Sequence, residues 1–171
     1  MTLRDLLREI PDQPVVAGVS DASAGDTRVT SVAYDSRQAG PGSVFVALRG
    51  VHADGASFAR DALGRGTIAV VSEAPAPEGV TRPWIQVADA RLALAALAAA
   101  LYGRPSEELT LVGITGTNGK TTTSYLLASI FEAAGVRCGR IGTVGYRIGN
   151  REMDAARTTP EAPDLQRLLR E

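Results

Sequence analysis

The segment Val112 to Leu127, VGITGTNGKTTTSYLL, carries the residues with the clearest chemical meaning in this 171-residue chain. An apolar run ends in glycines, followed by a lysine, three threonines and a second apolar run. A strand that stops in glycines and feeds a helix presents unpaired backbone N–H groups, and the helix dipole adds partial positive charge at the same point. Gly116 and Gly119 have no side chain to hold an anion away from the backbone. Lys120 adds a full charge suited to the outer phosphates of a nucleotide, and Thr121 offers a hydroxyl to a magnesium ion bridging them. The strict phosphate-loop spacing, G-x-x-x-x-G-K-[ST], places a glycine where Ile114 stands, and Gly113 sits one residue early. The alternative is a glycine-rich turn with a chance lysine. It does not account for a strand before, a helix after and Lys-Thr in register. The loop implies a nucleotide without reading its base. Sites of this kind usually add an acidic residue for the metal. Arg137 to Tyr146 contains none, and Glu161 is the nearest downstream carboxylate in a loop. Glu161 reads equally well as a solvated residue at a helix start.

The elements around the loop follow from apolar spacing. LTLVGIT, Leu109 to Thr115, reads as a buried strand with no polar alternation, the pattern of a parallel sheet. A helix from Lys120 to Ala134 follows, closed by Gly135. RCGRIGTVGY supplies the next strand, giving a β-loop-α-β unit that opens a doubly wound domain. GYRIGNREMD predicts a hairpin turning at Gly149-Asn150, and TTPEAPDLQRLLRE a loop leading into a helix. Upstream, residues 1–104 form one unit. A helix over TLRDLLREI has Thr2 as N-cap, and VTSVAYDSR alternates like a strand at Val29, Ser31 and Ala33. VFVALRG, TIAVVS and WIQVAD are further strands, the last two separated by the turn APAPEG. DGASFARDALGRG is a short helix stopped at Gly64 or Gly66. Asp89 caps ARLALAALAAALYG, a helix apolar on nearly every face and so buried on several sides. Gly103 and Pro105 end it, and GRPSEEL is the boundary between residues 1–104 and 105–171. The fold class is α/β.

Composition narrows the function. A net charge of −1 lacks the basic stripe of a nucleic-acid binder, and 5% aromatics leave no base-stacking platform. The single cysteine, Cys138, forms neither an internal disulfide nor a zinc cluster; it reads as a small apolar filler beside Ile141 rather than a reactive thiol. MTLRDLLREI lacks the apolar core of a signal peptide. LALAALAAAL is shorter than the roughly 20 residues that span a bilayer. The expectation is a cytoplasmic chain with no membrane insertion and no nucleic-acid partner.

GITGTNGKTTT in this setting resembles the ATP loop of the Mur ligases, which build the peptidoglycan stem peptide in the cytoplasm. YDSRQAGPGSVFVALRGVHADGASFARDALGRG resembles the N-terminal UDP-sugar domain of the third and fourth ligases of that pathway. RIGTVGY followed by TTPE is similar to the third-step member. The resemblance covers nearly the whole chain. It implies a small N-terminal UDP-sugar-binding domain, then the first β-loop-α-β unit of the central ATP-binding domain. It implies an ATP- and Mg2+-dependent monomer. The reaction joins a diamino acid, meso-diaminopimelate or lysine, to UDP-N-acetylmuramoyl-L-alanyl-D-glutamate through an acyl phosphate.

The same resemblance assigns residues. Gly116, Thr117, Asn118, Gly119, Lys120, Thr121 and Thr122 take the ATP-loop role, with Lys120 catalytic and Thr121 and Glu161 toward the metal. Tyr34, Ser36, Val51, His52, Ala53, Thr158 and Thr159 fall at UDP-sugar–peptide positions. Tyr34 and Ser36 share a face if their strand continues. Asp35 and Arg37 face away, as a turn clamp or as uridine contacts. Many members carry His-Gln-Ala where this chain has Val51-His52-Ala53, so His52 is displaced by one position. Thr158 and Thr159 suit oxygen ligands or the cap of the next helix. A further metal-binding Glu and His, a carbamylated lysine and the amino-acid pocket are expected beyond Glu171. The chain alone is therefore expected to be inactive, with apolar surface exposed around LTLVGIT. The alternatives are the fourth-step ligase, a folylpolyglutamate-type synthetase, which lacks such an N-terminal domain, and a non-catalytic nucleotide-sugar module.

Overall fold

The computed structural model describes residues 1–11, 14–17, 25–50, 54–155 and 159–171. The chain divides into two compact units, Met1–Arg104 and Pro105–Glu171.

The first unit is built on a five-stranded sheet. Its strands are β1 (Val15–Ala17), β2 (Ser31–Ala33), β3 (Ser43–Ala47), β4 (Ala69–Ser72) and β5 (Trp84–Gln86), in the order β1-β5-β4-β3-β2. Strands β2 to β5 are parallel, and β1 pairs with β5 antiparallel at the edge. In register, Val44 lies beside Ala69 and Val70 beside Trp84. Every residue of β3 and β4 is buried, as expected of parallel strands covered on both faces. On one face Phe45, Ala47, Val70 and Trp84 pack with Ala59 and Ala62 of α2 (Ala59–Gly64). Helix α3 (Ala90–Leu101) packs on β2, β3 and β4 and also meets α1 (Leu3–Leu7). The Trp84 indole N–H donates to the Ala74 carbonyl at 2.9 Å, so the largest buried side chain leaves no polar atom unsatisfied.

The ends of these helices were legible in the sequence. The Thr2 hydroxyl accepts from the Asp5 N–H at 3.2 Å while Asp5 reaches back to Thr2, a capping box. Asp89 accepts from the N–H groups of Arg91 and Leu92 at 2.8 and 2.9 Å. The strand expected around VTSVAYDSR is shorter than the alternation implies. Val32 and Ala33, consecutive in β2, are both buried, because the sheet is covered on both sides. The chain then leaves the sheet for a 3₁₀ turn at Ser36–Gln38.

The second unit contains α4 (Pro105–Glu108), α5 (Lys120–Ala133), three short antiparallel strands β6 (Arg140–Ile141), β7 (Tyr146–Ile148) and β8 (Arg151–Met153), and α6 (Ala162–Arg170). The hairpin turns at Gly149-Asn150 as expected, with Ile148 opposite Arg151. Two expectations fail. LTLVGIT joins no strand, and Leu111 and Val112 are 55% and 57% exposed. RCGRIGTVGY yields the two residues of β6 and, at Tyr146, the start of β7, antiparallel to each other rather than parallel to a preceding strand. A fully apolar strand is stable only between neighbours that satisfy its N–H and C=O groups and cover both faces. Among the described residues no strand lies beside Leu109–Thr115.

Candidate functional site

The phosphate loop is set by two backbone conformations. Gly116 has φ +138° and Gly119 φ +77°, values that a side chain disfavours. A Cβ on Gly119 would meet nothing within 4 Å, so backbone conformation rather than crowding calls for glycine there. Gly119 is the N-cap of α5 and no side chain caps the helix. The N–H groups of Lys120, Thr121 and Thr122 thus stand at the helix start without a capping acceptor. The first helical bond is Thr123 N–H to the Gly119 carbonyl at 2.9 Å. The Lys120 ammonium folds back and donates to the Gly116 carbonyl, which holds the positive charge over the loop. Thr117, Asn118, Thr121 and Thr122 are exposed. Free N–H donors, an adjacent ammonium and positive-φ glycines suit phosphate oxygens, and the exposed Thr121 hydroxyl suits a magnesium ion bound to them.

Glu161 occupies the N-cap position of α6, and its side chain makes no cap hydrogen bond. Thr159 is exposed and does not cap α6, since Glu161 holds that place. Among the described residues no group of three metal-ligating side chains comes together. Thr158, Val51, His52 and Ala53 lie outside the described residues.

In the first unit Tyr34 is half-buried and Ser36 is buried. They do not share a strand face, because β2 ends at Ala33 and Ser36 opens the 3₁₀ turn. Asp35 caps that turn by accepting from the Arg37 N–H at 3.0 Å. Its carboxylate also takes the Arg37 guanidinium through two nitrogens, at 2.9 Å and 2.6 Å. The hydrogen bond and charge of Asp35 push the Arg37 guanidinium above its usual basicity. Asp35 and Arg37 are therefore the turn clamp, paired directly with each other. The HADG signal has a similar local reason at its end. Asp54 accepts from the Ala56 N–H at 3.0 Å, and a Cβ on Gly55 would lie 2.5 Å from the Leu48 carbonyl oxygen.

Sequence reasoning missed the surroundings of Arg140. This residue is 9% exposed, and its guanidinium lies 3.7 Å from the centroid of the Tyr125 ring. An arginine inside an otherwise apolar strand pattern was the available signal. Cys138 is half-buried, with its sulfur 3.9 Å from the Ala128 carbonyl oxygen.

The fold is α/β, and the loop has a geometry suited to phosphate. Residues 28–102 match the profile described as Mur ligase family, catalytic domain, and residues 114–171 the profile described as Mur ligase middle domain. The chain belongs to the Mur ligase family. It is 51% identical over 143 residues to the UDP-N-acetylmuramoyl-L-alanyl-D-glutamate–2,6-diaminopimelate ligase of Solibacter usitatus, covering 84% of this chain and 29% of that protein. It is 46% identical over 173 residues to the protein of the same name in Geobacter metallireducens, covering 100% of this chain and 32% of that one. A solved structure named as a UDP-N-acetylmuramoyl-L-alanyl-D-glutamate–2,6-diaminopimelate ligase aligns with a TM-score of 0.69 over 99% of this chain and 33% of its own; at 23% identity it shares the fold. The chain spans about a third of the length of these relatives. Among the described residues no helix is long and apolar enough to cross a membrane.

Proposed function

We propose that this chain is the UDP-sugar-binding and phosphate-loop portion of a cytoplasmic, monomeric ligase. That enzyme uses ATP to add a diamino acid to UDP-N-acetylmuramoyl-L-alanyl-D-glutamate. In this reading residues 1–104 hold the UDP-sugar and residues 105–171 begin the ATP-binding domain. The observation that carries it is the uncapped start of α5 behind positive-φ Gly116 and Gly119, in a chain whose relatives bear that ligase name.

The chemistry explains the need for such a loop. A carboxylate is a poor electrophile. Transfer of the γ-phosphoryl group to the glutamyl carboxylate forms an acyl phosphate and releases ADP. The amine lone pair then attacks the acyl carbon, inorganic phosphate leaves with the electrons of the C–O bond, and the ammonium proton passes to solvent. Lys120 and the N–H groups of Lys120 to Thr122 hold and neutralise the clustered phosphate charge. Magnesium, held through the Thr121 hydroxyl with Glu161 as a weaker second ligand, supplies further charge neutralisation when bound. Tyr34, Ser36, Val51, His52, Ala53, Thr158 and Thr159 are proposed UDP-sugar–peptide contacts.

The test is ADP release by the whole gene product with the UDP-sugar dipeptide and each diamino acid in turn. Stimulation by meso-diaminopimelate or lysine is expected. ADP release only with a dipeptide amine and a UDP-sugar tripeptide would install the fourth-step reading instead. Lys120→Ala should lower turnover by about a hundredfold or more while leaving UDP-sugar binding intact; loss of both would overturn the domain assignment.

A further inference from the structure

Helix α5 carries the phosphate loop at its start, yet the second unit gives it little apolar support. Among the described residues of α5, Ala128 alone is buried, while Leu126 and Ile130 are exposed. Two arginines hold it instead. Arg140 of β6 and Arg147 of β7 are direct partners in the antiparallel pair, so their side chains share one face. Like charges directly opposite each other destabilise a sheet, and here each is engaged by α5. Arg140, 9% exposed, has its guanidinium 3.7 Å from the centroid of the Tyr125 ring, well within reach of a cation–π contact. Arg147 pairs with the Glu132 carboxylate. Tyr125, Ala128 and Glu132 follow the i, i+3, i+7 spacing of one helix face. The paired strands therefore grip α5 at two points about two turns apart.

The grip at Tyr125 bears on the loop. Tyr125 lies one turn after Thr121, roughly 6 Å along the helix axis, whereas Glu132 is near the far end of α5. A tilt of the first turn re-aims the N–H groups of Lys120, Thr121 and Thr122 together. Groups that must meet a ligand in a fixed geometry are sensitive to displacements of about 1 Å. The Tyr125–Arg140 stack forms one wall of a cavity of about 250 Å³, lined also by Val144 and Met153, so on that side no packed side chain holds the ring. Tyr125 is itself 43% exposed. An aromatic face attracts the buried cation, and an aliphatic side chain of similar bulk does not. We infer that Arg140 is a positioning residue for the phosphate loop, acting through the Tyr125 ring to fix the direction of the first turn of α5, while Arg147 and Glu132 hold the other end. The inference rests on the reading of Gly116 to Thr122 as an ATP site and adds a residue outside that loop.

The test uses the whole gene product. ATP affinity is read by displacement of a fluorescent ATP analogue, and the KM values for ATP and the UDP-sugar dipeptide by ADP release. Tyr125→Leu should weaken ATP by about tenfold in both readings and leave the dipeptide KM unchanged. Tyr125→Phe keeps the aromatic face and should retain most of the native ATP affinity. Arg140→Met should match Tyr125→Leu, and the double variant should be no worse than either single one, because both changes break the same contact. Arg140 is buried and its replacement can disturb folding, so the two variants of the exposed Tyr125 carry the test by themselves. Native ATP affinity in Tyr125→Leu, equal losses in the Leu and Phe variants, or losses that multiply in the double variant would overturn the inference. So would a fall in kcat with a native KM for ATP, the mark of a merely structural role. If the native protein binds no ATP, the phosphate-loop reading falls and the inference with it. If it binds ATP but no diamino acid stimulates ADP release, the ligase reading alone falls, and the affinities still decide the role of Arg140.

Discussion

The two units differ in where their apolar side chains go. In the first, Val44, Val46, Val70, Val71, Ile85, Leu94 and Leu97 are all fully buried. In the second, the described residues include few large buried apolar side chains, chiefly Tyr146 and Leu168, while Leu126, Ile130 and Val144 are 60%, 61% and 63% exposed. Yet the clearest functional geometry, the loop from Gly116 to Thr122, belongs to the unit with little core. A phosphate loop is made of local signals: glycine conformations, an uncapped helix start and one lysine. The parallel sheet of the first unit, by contrast, needs burial on both faces.

The sharpest way to break this contrast is to truncate one helix leucine in each unit, Leu97, which is buried, and Leu126, which is exposed. Leu97→Ala should destabilise the first unit by about 2–5 kcal/mol, read as a lower urea midpoint of Trp84 fluorescence. Leu126→Ala in the second should stay within about 0.5 kcal/mol, read by circular dichroism. Equal effects would mean that the second unit has a core of the same quality as the first.

Next in size, Gly119→Ala should cost about 1–2 kcal/mol, because alanine resists the left-handed backbone there; hydrogen exchange of the Lys120–Thr123 amides is the readout. Asp89→Ala should cost about 1 kcal/mol by uncapping α3, measured again through Trp84.

The smallest effect concerns the link between α4 and α6, where Arg170 donates to both Glu108 oxygens at 3.0 Å. The Arg170 hydrogen bond and charge hold the Glu108 carboxyl below its usual 4.5. A depressed folded-state value means the pair stabilises above the ordinary carboxylate range and is lost as pH falls through the lowered value. Both groups are well exposed, so the effect is small. Protection of α6 amides should fall in acid for the native chain and show less pH dependence in Glu108→Gln.

Much of the first unit could be read directly. Thr2 and Asp89 cap the helices they were assigned, Gly66 follows α2 with φ +92°, and TIAVVS and WIQVAD enter the sheet. The loop geometry was legible where it is local, at Gly116, Gly119 and Lys120. YDSR was misread because alternation alone does not tell where a strand ends. Asp35 draws the chain into a 3₁₀ turn, and the two-residue period that paired Tyr34 with Ser36 stops applying. LTLVGIT was misread for the opposite reason. Its composition is right for a buried strand, but pairing depends on neighbours that composition does not supply.

By itself the sequence determined the caps, the glycine conformations of the phosphate loop, the hairpin turn at Gly149 and the family, because each rests on residues close together in the chain. Only tertiary structure decided that β1 closes the sheet antiparallel, that LTLVGIT stays unpaired, and that Arg140 stacks on Tyr125. Those outcomes depend on which distant segments share a hydrogen-bond ladder or a cavity wall, and spacing along one chain does not encode that until the chain has folded.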